Sequence, residues 1–262
     1  MLNGSGFLSL FKKISANLLG IGGAQVDTIL DESTYRPGDL VTGKVHVLGG
    51  EVAQEIDDMD LYVMANYQLD SGYSQSIKIY SHRVLHRFTI SPSESRSFPF
   101  QFQLPIDTPI SLRTCTVWIK TNLDIKYGLD AKDNDQIVVQ PHPWIEKMLR
   151  VMGQRKFELR IVDSEYAPFL KRRLPFIQEF EFRPDFSCKY IGKLKEIECI
   201  FFLEEKGMEI LLEIDRKARE VNDWKSSIDV WVRVHLSDLD LQRSEDELAN
   251  LLDQTIEAQI KR

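Results

Sequence analysis

Hydrophobic and polar residues alternate with period two along most of this chain, the pattern of strands that bury one face. Between Ala24 and Gln140 it predicts strands at Gln25 to Leu30, Leu40 to Leu48, Met59 to Asn66, Ser76 to Ile90, Phe98 to Leu104, Arg113 to Thr121 and Gln136 to Gln140. In the second of these Val41, Gly43, Val45 and Val47 share one face, while Thr42, Lys44 and His46 share the other. Just ahead of it, Pro37 fixes φ and Gly38 accepts a positive one, the backbone preferences of a tight turn. Phe98, Phe100, Phe102 and Leu104 alternate with Pro99, Gln101 and Gln103, which directs three rings into one core. Pro99 lacks a backbone donor and suits an edge or an unpaired position. Short strands separated by turn residues, with no amphipathic helix between them, predict an antiparallel sandwich rather than a parallel α/β sheet.

The pattern breaks at Pro141, His142, Pro143 and Trp144. Trp144, Ile145, Met148, Leu149 and Met152 then fall at helical spacing, predicting a short connecting helix that Gly153 closes. Strands resume at Phe157 to Val162, Phe176 to Arg183, Ile197 to Leu203, Met208 to Glu213 and Ser227 to Leu236, enough for a smaller second sandwich. In the last, Ile228, Val230, Val232, Val234 and Leu236 face one way and Trp231, Arg233 and His235 the other. Helical spacing also marks both ends of the chain. Phe7, Leu10, Phe11, Ile14 and Leu18 form a stripe opposite Lys12, Lys13 and Ser15, and Gly20, Gly22 and Gly23 end it. Ser244 and Glu247 make a capping box ahead of Leu248, Leu251, Leu252 and Ile256, a stripe that needs a protein surface to cover it.

With 262 residues the chain exceeds the usual single-domain size, so the two strand sets are read as two domains with separate cores. The net charge of -7 divides into -4 through residue 140 and -3 beyond it. Neither part has the basic excess needed to neutralise many phosphates, which removes nucleic acid as an expected partner. Cys115, Cys188 and Cys199 are an odd set without a C-x-x-C pair, and they predict reduced, buried thiols rather than disulfides or a zinc site. No run reaches the length of a membrane span, and the apolar start lacks the basic region of a secretory signal. The expected location is therefore cytoplasmic.

Candidate chemistry is sparse. No phosphate loop, nucleophile elbow, H-E-x-x-H helix or dinucleotide fingerprint occurs. His82 and His86 lie on a predicted strand, where four residues span about 13 Å, too far for one metal. Cys115 alternates with Val117 and Ile119 and reads as core rather than nucleophile. Asp124 and the stretch from Asp130 to Asp135 read as an acidic loop near the domain boundary. It lacks the D-x-D-x-D-G order and the bidentate Glu of a calcium loop, so a solvated or salt-bridging role is preferred. Neither a cofactor nor a metal is expected.

Lys171, Arg172 and Arg173 form a basic cluster in the second strand set. Set against the acidic loop, they suggest an interdomain polar cluster of Asp124, Asp130, Asp133 and Asp135 with Arg160, Asp163, Arg172 and Arg173. Partly buried pairs of this kind would be costly to break and could fix a domain angle. The terminal stripes, with Phe7, Phe11 and Ile14 at one end and Leu248, Leu251 and Leu252 at the other, are the expected surfaces for a partner or a homodimer.

The turn and strand from Tyr35 to Val47, together with Phe98 to Pro109, resemble pieces of the arrestin-like fold. Gln25 to Thr28, the Gly49 to Val52 turn, Trp118 to Lys126 and Leu174 to Phe182 are similar, more narrowly, to the bacterial sporulation-control family of stage-zero M type. The resemblance spans about Ala24 to Glu213. It implies an all-β chain of two tandem arrestin-like β-sandwich domains, at 24–141 and 154–237. Helices would occupy 1–23, a linker at 142–153 and a tail at 238–262. It also implies a non-enzymatic regulator of sporulation or related development that works through protein partners of unknown identity, with self-association. The competing readings are a membrane-associated adaptor using Phe7 to Leu19, and a metal-dependent enzyme using the Asp124 to Asp135 loop.

Overall fold

The structure is a computed structural model that describes residues 22–69, 72–112, 114–216 and 230–260, and in it the period-two segments fold as strands. These residues divide into two units. The first runs to Ala65 and adds Ser76–Pro105 and Thr116–Val138; the second takes Asn66–Gln75, Ile106–Cys115 and the chain from Val139. The expected helix at Phe7, Phe11 and Ile14 lies outside the described residues.

In the first unit β1 (Gln25–Leu30), β2 (Thr34–Tyr35), β3 (Leu40–Leu48), β4 (Gln54–Gln68), β5 (Ser74–Ile90), β6 (Ser95–Gln103), β7 (Val117–Ile125) and β8 (Ala131–Val139) make two sheets. One has the order β1-β3-β6, and the other contains β5-β4-β7-β8-β2. Val41, Val45 and Val47 from the first sheet and Met59, Leu61, Val63, Ile119 and Leu123 from the second are buried between them. Rings extend the contact, with Tyr80 packing on Phe102 at 5.6 Å and Phe88 on Phe98 at 5.1 Å between centroids. The turn before β3 forms as its residues require. Asp39 N–H donates to the Arg36 carbonyl, and Gly38 at φ 89 supplies the left-handed position of that turn. Gly43 is dictated by space: a Cβ there would lie 2.4 Å from the Ile29 carbonyl oxygen.

Several boundaries differ from the sequence expectation: β4 begins five residues earlier than Met59, the strand from Phe157 continues to Tyr166, and two further differences have a local cause. Strand β7 begins at Val117, four residues later than expected, because Leu112 and Cys115 exchange backbone hydrogen bonds with each other instead of joining the ladder. Strand β8 absorbs most of the expected acidic loop. Lys132 pairs with Asn122, Asp133 with Thr121 and Asp135 with Ile119, so cross-strand pairing overrides the polar composition.

The second unit contains β9 (Phe157–Tyr166), β10 (Phe176–Pro184), β11 (Leu194–Glu204), β12 (Gly207–Arg216) and β13 (Val230–Ser237) as neighbours in one antiparallel sheet. Helices α1 (Pro143–Gln154), α2 (Asp238–Gln242) and α3 (Glu245–Ile260) complete it. Ile145, Met148, Val151 and Met152 of α1 and Leu248, Leu252 and Ile256 of α3 share a core with Phe180, Phe182, Cys199, Ile210 and Leu212 of the sheet. Helices, rather than a second sheet, therefore cover this apolar face among the described residues. The expected linker helix is part of the second unit's core. It also runs past Gly153, and the left-handed residue that follows it is Lys156 at φ 62.

The start and the middle of α3 are fixed by polar contacts. The capping box forms as expected, with Ser244 N–H donating to Glu247 Oε2 at 2.9 Å and Glu247 N–H donating to Ser244 Oγ at 3.2 Å. Arg150 pairs with Glu245 at 2.6 Å and Arg155 with Asp253 at 2.8 Å, joining α1 to α3 along their length. The void left under the helices, lined by Met148, Cys199, Leu212 and Leu251, is about 20 Å³, room for little more than one water. No helix among the described residues is long and apolar enough to cross a membrane.

Candidate functional site

The sheet of the second unit has two chemically distinct faces because its strands alternate between the register shifts at Glu181/Phe182 and Leu194/Glu196. Ile197, Cys199, Phe201 on β11 and Met208, Ile210, Leu212 on β12 turn toward the helices. The residues between them turn the other way. Register then stacks them: Glu198 sits opposite Glu213, Phe202 opposite Glu209, and Leu211 opposite Arg233. The outward face consequently carries acids on β10, β11 and β12, with an apolar island formed by Ile177, Ile200 and Leu211 under Leu170 and Phe202.

Three of these acids converge. Carboxylate oxygens of Glu179, Glu198 and Glu213 all lie within 4.8 Å of one another, each side chain half-buried. Burial pushes the Glu179 carboxyl up to about 8, and hydrogen bonding to Glu198 and the charges of Glu198, Glu165 and Glu213 push in the same direction. Near neutral pH the Glu179 carboxyl therefore keeps its proton beside Glu198. Outer acids on the same face are differently placed. Arg183 reaches Glu181 at 2.8 Å and Glu196 at 3.1 Å, and Lys195 bridges Glu196 at 2.7 Å and Asp215 at 2.9 Å.

The raised Glu179 has a defined consequence for stability. The folded state keeps a proton that the unfolded chain releases above the ordinary carboxylate range. Stability from this group is therefore complete at low pH and declines as pH rises toward about 8. Glu179→Gln should leave the urea midpoint unchanged near about pH 5 and raise stability by about 1 kcal/mol near about pH 9, allowing for solvent screening. Equal stability of Glu179→Gln and wild type near about pH 9 would contradict the proton held on Glu179.

At the other end of the same face, the Arg172 guanidinium lies over the Phe202 ring, 4.1 Å from its centroid, and forms an ion pair with Glu209. The Glu209 side chain is 4% exposed, and His235 Nε2 approaches its second oxygen at 3.2 Å. Lys171, at φ 51, projects beside this pair from the turn after Leu170, and Arg233 does so from β13. Together with Leu170, Phe202 and Leu211 they enclose a groove of about 280 Å³.

The residues expected to form an interdomain cluster have separate local partners. Arg173 pairs with Asp107, Arg160 with Glu158 at 3.3 Å, and Asp163 accepts from Thr114 at 3.1 Å, all within the second unit. In the first unit Asp133 accepts from the Thr28 backbone at 2.8 Å, and Asp130 accepts from Ile125 N–H at 3.3 Å. Burial and the charge of Asp130 raise the Asp124 carboxyl. Asp135 is pushed up to about 7 by burial and by neighbouring Asp133. The structure thus brings Asp133 and Asp135 together, while Arg172 and Arg173 go to different carboxylates. Leu248 and Leu252 are buried and Leu251 partly so in the core, so this chain already covers the surface they were expected to offer.

Other expectations meet the structure directly. His82 packs on Phe102 at 5.3 Å and His86 reaches Asp58 at 2.6 Å, in separate environments. All three cysteines are free and buried, and burial pushes the Cys115 thiol up to about 11. The glutamate cluster and the Glu209 pair were missed. Their signal was present in the sequence: glutamates at 179 and 181, 196 and 198, and 209 and 213 recur at even spacing between apolar residues, which places each set on one strand face.

Comparison with known proteins agrees with this architecture. The family model described as SpoOM protein matches residues 11–218. The sporulation-control protein spo0M of Bacillus subtilis strain 168 is 43% identical over 257 residues, covering 95% of this chain and 98% of that one. A crystal structure of Spo0M, sporulation control protein, from Bacillus subtilis superposes with a TM-score of 0.80 at 41% identity. That match covers 91% of this chain and 99% of the other. The chain is therefore mostly β, as the alternation predicted, and it belongs to the SpoOM protein family.

Proposed function

We propose that this chain is a non-enzymatic regulator of sporulation that acts by binding other proteins. The observation that carries the reading is the 43% identity to a sporulation-control protein over nearly the full length of both chains. Identity at that level preserves the fold together with much of the surface, so a shared role follows more readily than from fold alone. The non-enzymatic part is supported by the groups that could have served as nucleophiles. Burial raises the thiols of Cys115, Cys188 and Cys199, opposite to what an activated cysteine needs. Protein binding is supported by the sheet of the second unit. Strand β13 lies at its outer end, and among the described residues nothing pairs with its far edge.

Complementation tests the reading. Expressed in a Bacillus subtilis strain lacking its own spo0M protein, the chain should restore the wild-type sporulation frequency. A well-expressed chain that leaves the frequency of the deletion strain unchanged would remove the proposed role.

A further inference from the structure

The groove beside Arg172 lies on the outward face of the second unit's sheet and crosses three strands. Register sets its floor, with Phe202 of β11 opposite Glu209 of β12 and Leu211 of β12 opposite Arg233 of β13. The turn that carries Leu170, Lys171 and Arg172 lines it from above the sheet, so three cations border one cavity of about 280 Å³. Its single acid, Glu209, is buried and engaged on both oxygens, by Arg172 Nη2 and His235 Nε2. Lys171 and Arg233 differ: both are exposed, and among the described residues neither has an ion-pair partner. Arg172 and Glu209 cancel, which leaves the charges of Lys171 and Arg233 uncompensated in a chain whose net charge is -7.

These features favour one kind of ligand. The Arg172 guanidinium is held by its ion pair and by the Phe202 ring, so it is ordered before any ligand arrives. Among the described residues Glu209 is its only acceptor and takes Nη2, which leaves the donors on Nε and Nη1 for a ligand. Arg233 adds a second guanidinium fork and Lys171 an ammonium on a flexible stem. Such a set matches a dianion with several acceptor oxygens. A carboxylate brings one charge, whereas a phosphate monoester brings about -1.5 to -2 and three strong acceptor oxygens. The cavity is close to the lower size limit of small-molecule pockets, roughly 300 Å³. We propose that this groove binds the phosphate group of a small molecule, whose oxygens meet Lys171, Arg233 and the remaining donors of Arg172. Free phosphate and a phosphate ester share this chemistry, and an ester also offers carbon to Leu170 and Phe202. The site goes beyond the sporulation role and does not depend on it.

The test titrates the full chain at low salt with phenyl phosphate, phenyl sulfate and inorganic phosphate, followed by calorimetry at about pH 7.5, where the phosphate ester is a dianion. Phenyl phosphate should bind at least about tenfold more tightly than phenyl sulfate, which has the same ring and one charge fewer. The double variant Lys171→Ala with Arg233→Ala should lose about tenfold or more of that binding at an unchanged unfolding midpoint, since both side chains are exposed. Lys44→Ala with Lys132→Ala removes two exposed charges from the first unit and should leave the binding unchanged. Equal affinity for the two esters, no binding of either phosphate, or equal loss in both double variants overturns the assignment. Inorganic phosphate that binds as tightly as phenyl phosphate identifies the free ion as the ligand, and markedly weaker binding identifies an ester. Failure of complementation by a chain that still binds phosphate overturns the regulatory reading alone.

Discussion

Leu248→Ala is expected to lower the stability of the second unit by about 2–5 kcal/mol, the usual cost of removing a fully buried leucine. Leu248 is 1% exposed and lies in the core shared by α1, α3 and the sheet. The void already beneath α3 is small, so the lost methyl groups would leave a cavity that rigid neighbours fill only in part. Ile256→Ala, about two turns further along the same helical face and fully buried, should act in the same direction. Asp246→Ala, exposed on the same helix, should change stability by no more than about 0.5 kcal/mol. Urea unfolding followed by far-ultraviolet circular dichroism reads all three. If Leu248→Ala matches Asp246→Ala, the helix is not the layer that closes this core, and its stripe is again free to meet a partner.

Arg172→Met should cost about 3 kcal/mol, near the lower end of the penalty for removing one member of a buried pair. The cost arises from the carboxylate left behind. Glu209 is far more buried than Arg172, at 4% against 34% side-chain exposure, so it depends on the guanidinium far more than the guanidinium depends on it. His235 can compensate only in part, being exposed and charged only when protonated. Replacing both partners, Arg172→Met with Glu209→Leu, should recover most of the loss, because no charge is then buried without a partner. Denaturant unfolding of the single and double variants measures the coupling. A double variant as unstable as the sum of the two singles would show that the pair contributes nothing as a pair.

The basic residues of this face differ in what depends on them. Arg172 supports the groove by neutralising Glu209 and covering Phe202, and its loss should be read in stability. Lys171 and Arg233 are exposed, and their loss should cost little stability. A screen that reversed the whole basic cluster at once would confuse these effects.

Much of this protein was legible in its sequence because the governing signals are local. Period two in Leu40 to Leu48 and Phe98 to Leu104 set which side chains point inward, and β3 has the predicted bounds. The turn at Pro37 and Gly38 and the capping box at Ser244 and Glu247 depend on residues within a few positions of one another, so they formed as read. The resemblance to sporulation-control proteins rested on the same stretches.

Tertiary structure decided everything that depends on which strand lies beside which. Glu179, Glu198 and Glu213 are ordinary outward glutamates in sequence, and only the register of β10, β11 and β12 brings their oxygens within 4.8 Å. Asp133 and Asp135 read as loop residues until pairing with β7 drew them into a strand. Arg172 was rightly singled out as part of a basic cluster, yet its carboxylate is Glu209, 37 residues away and buried. The α3 stripe correctly announced a need for cover, and it is the chain's own sheet that supplies it. A repeating pattern fixes the direction of a side chain, whereas long-range pairing fixes its neighbours, and neighbours determine charge, burial and binding.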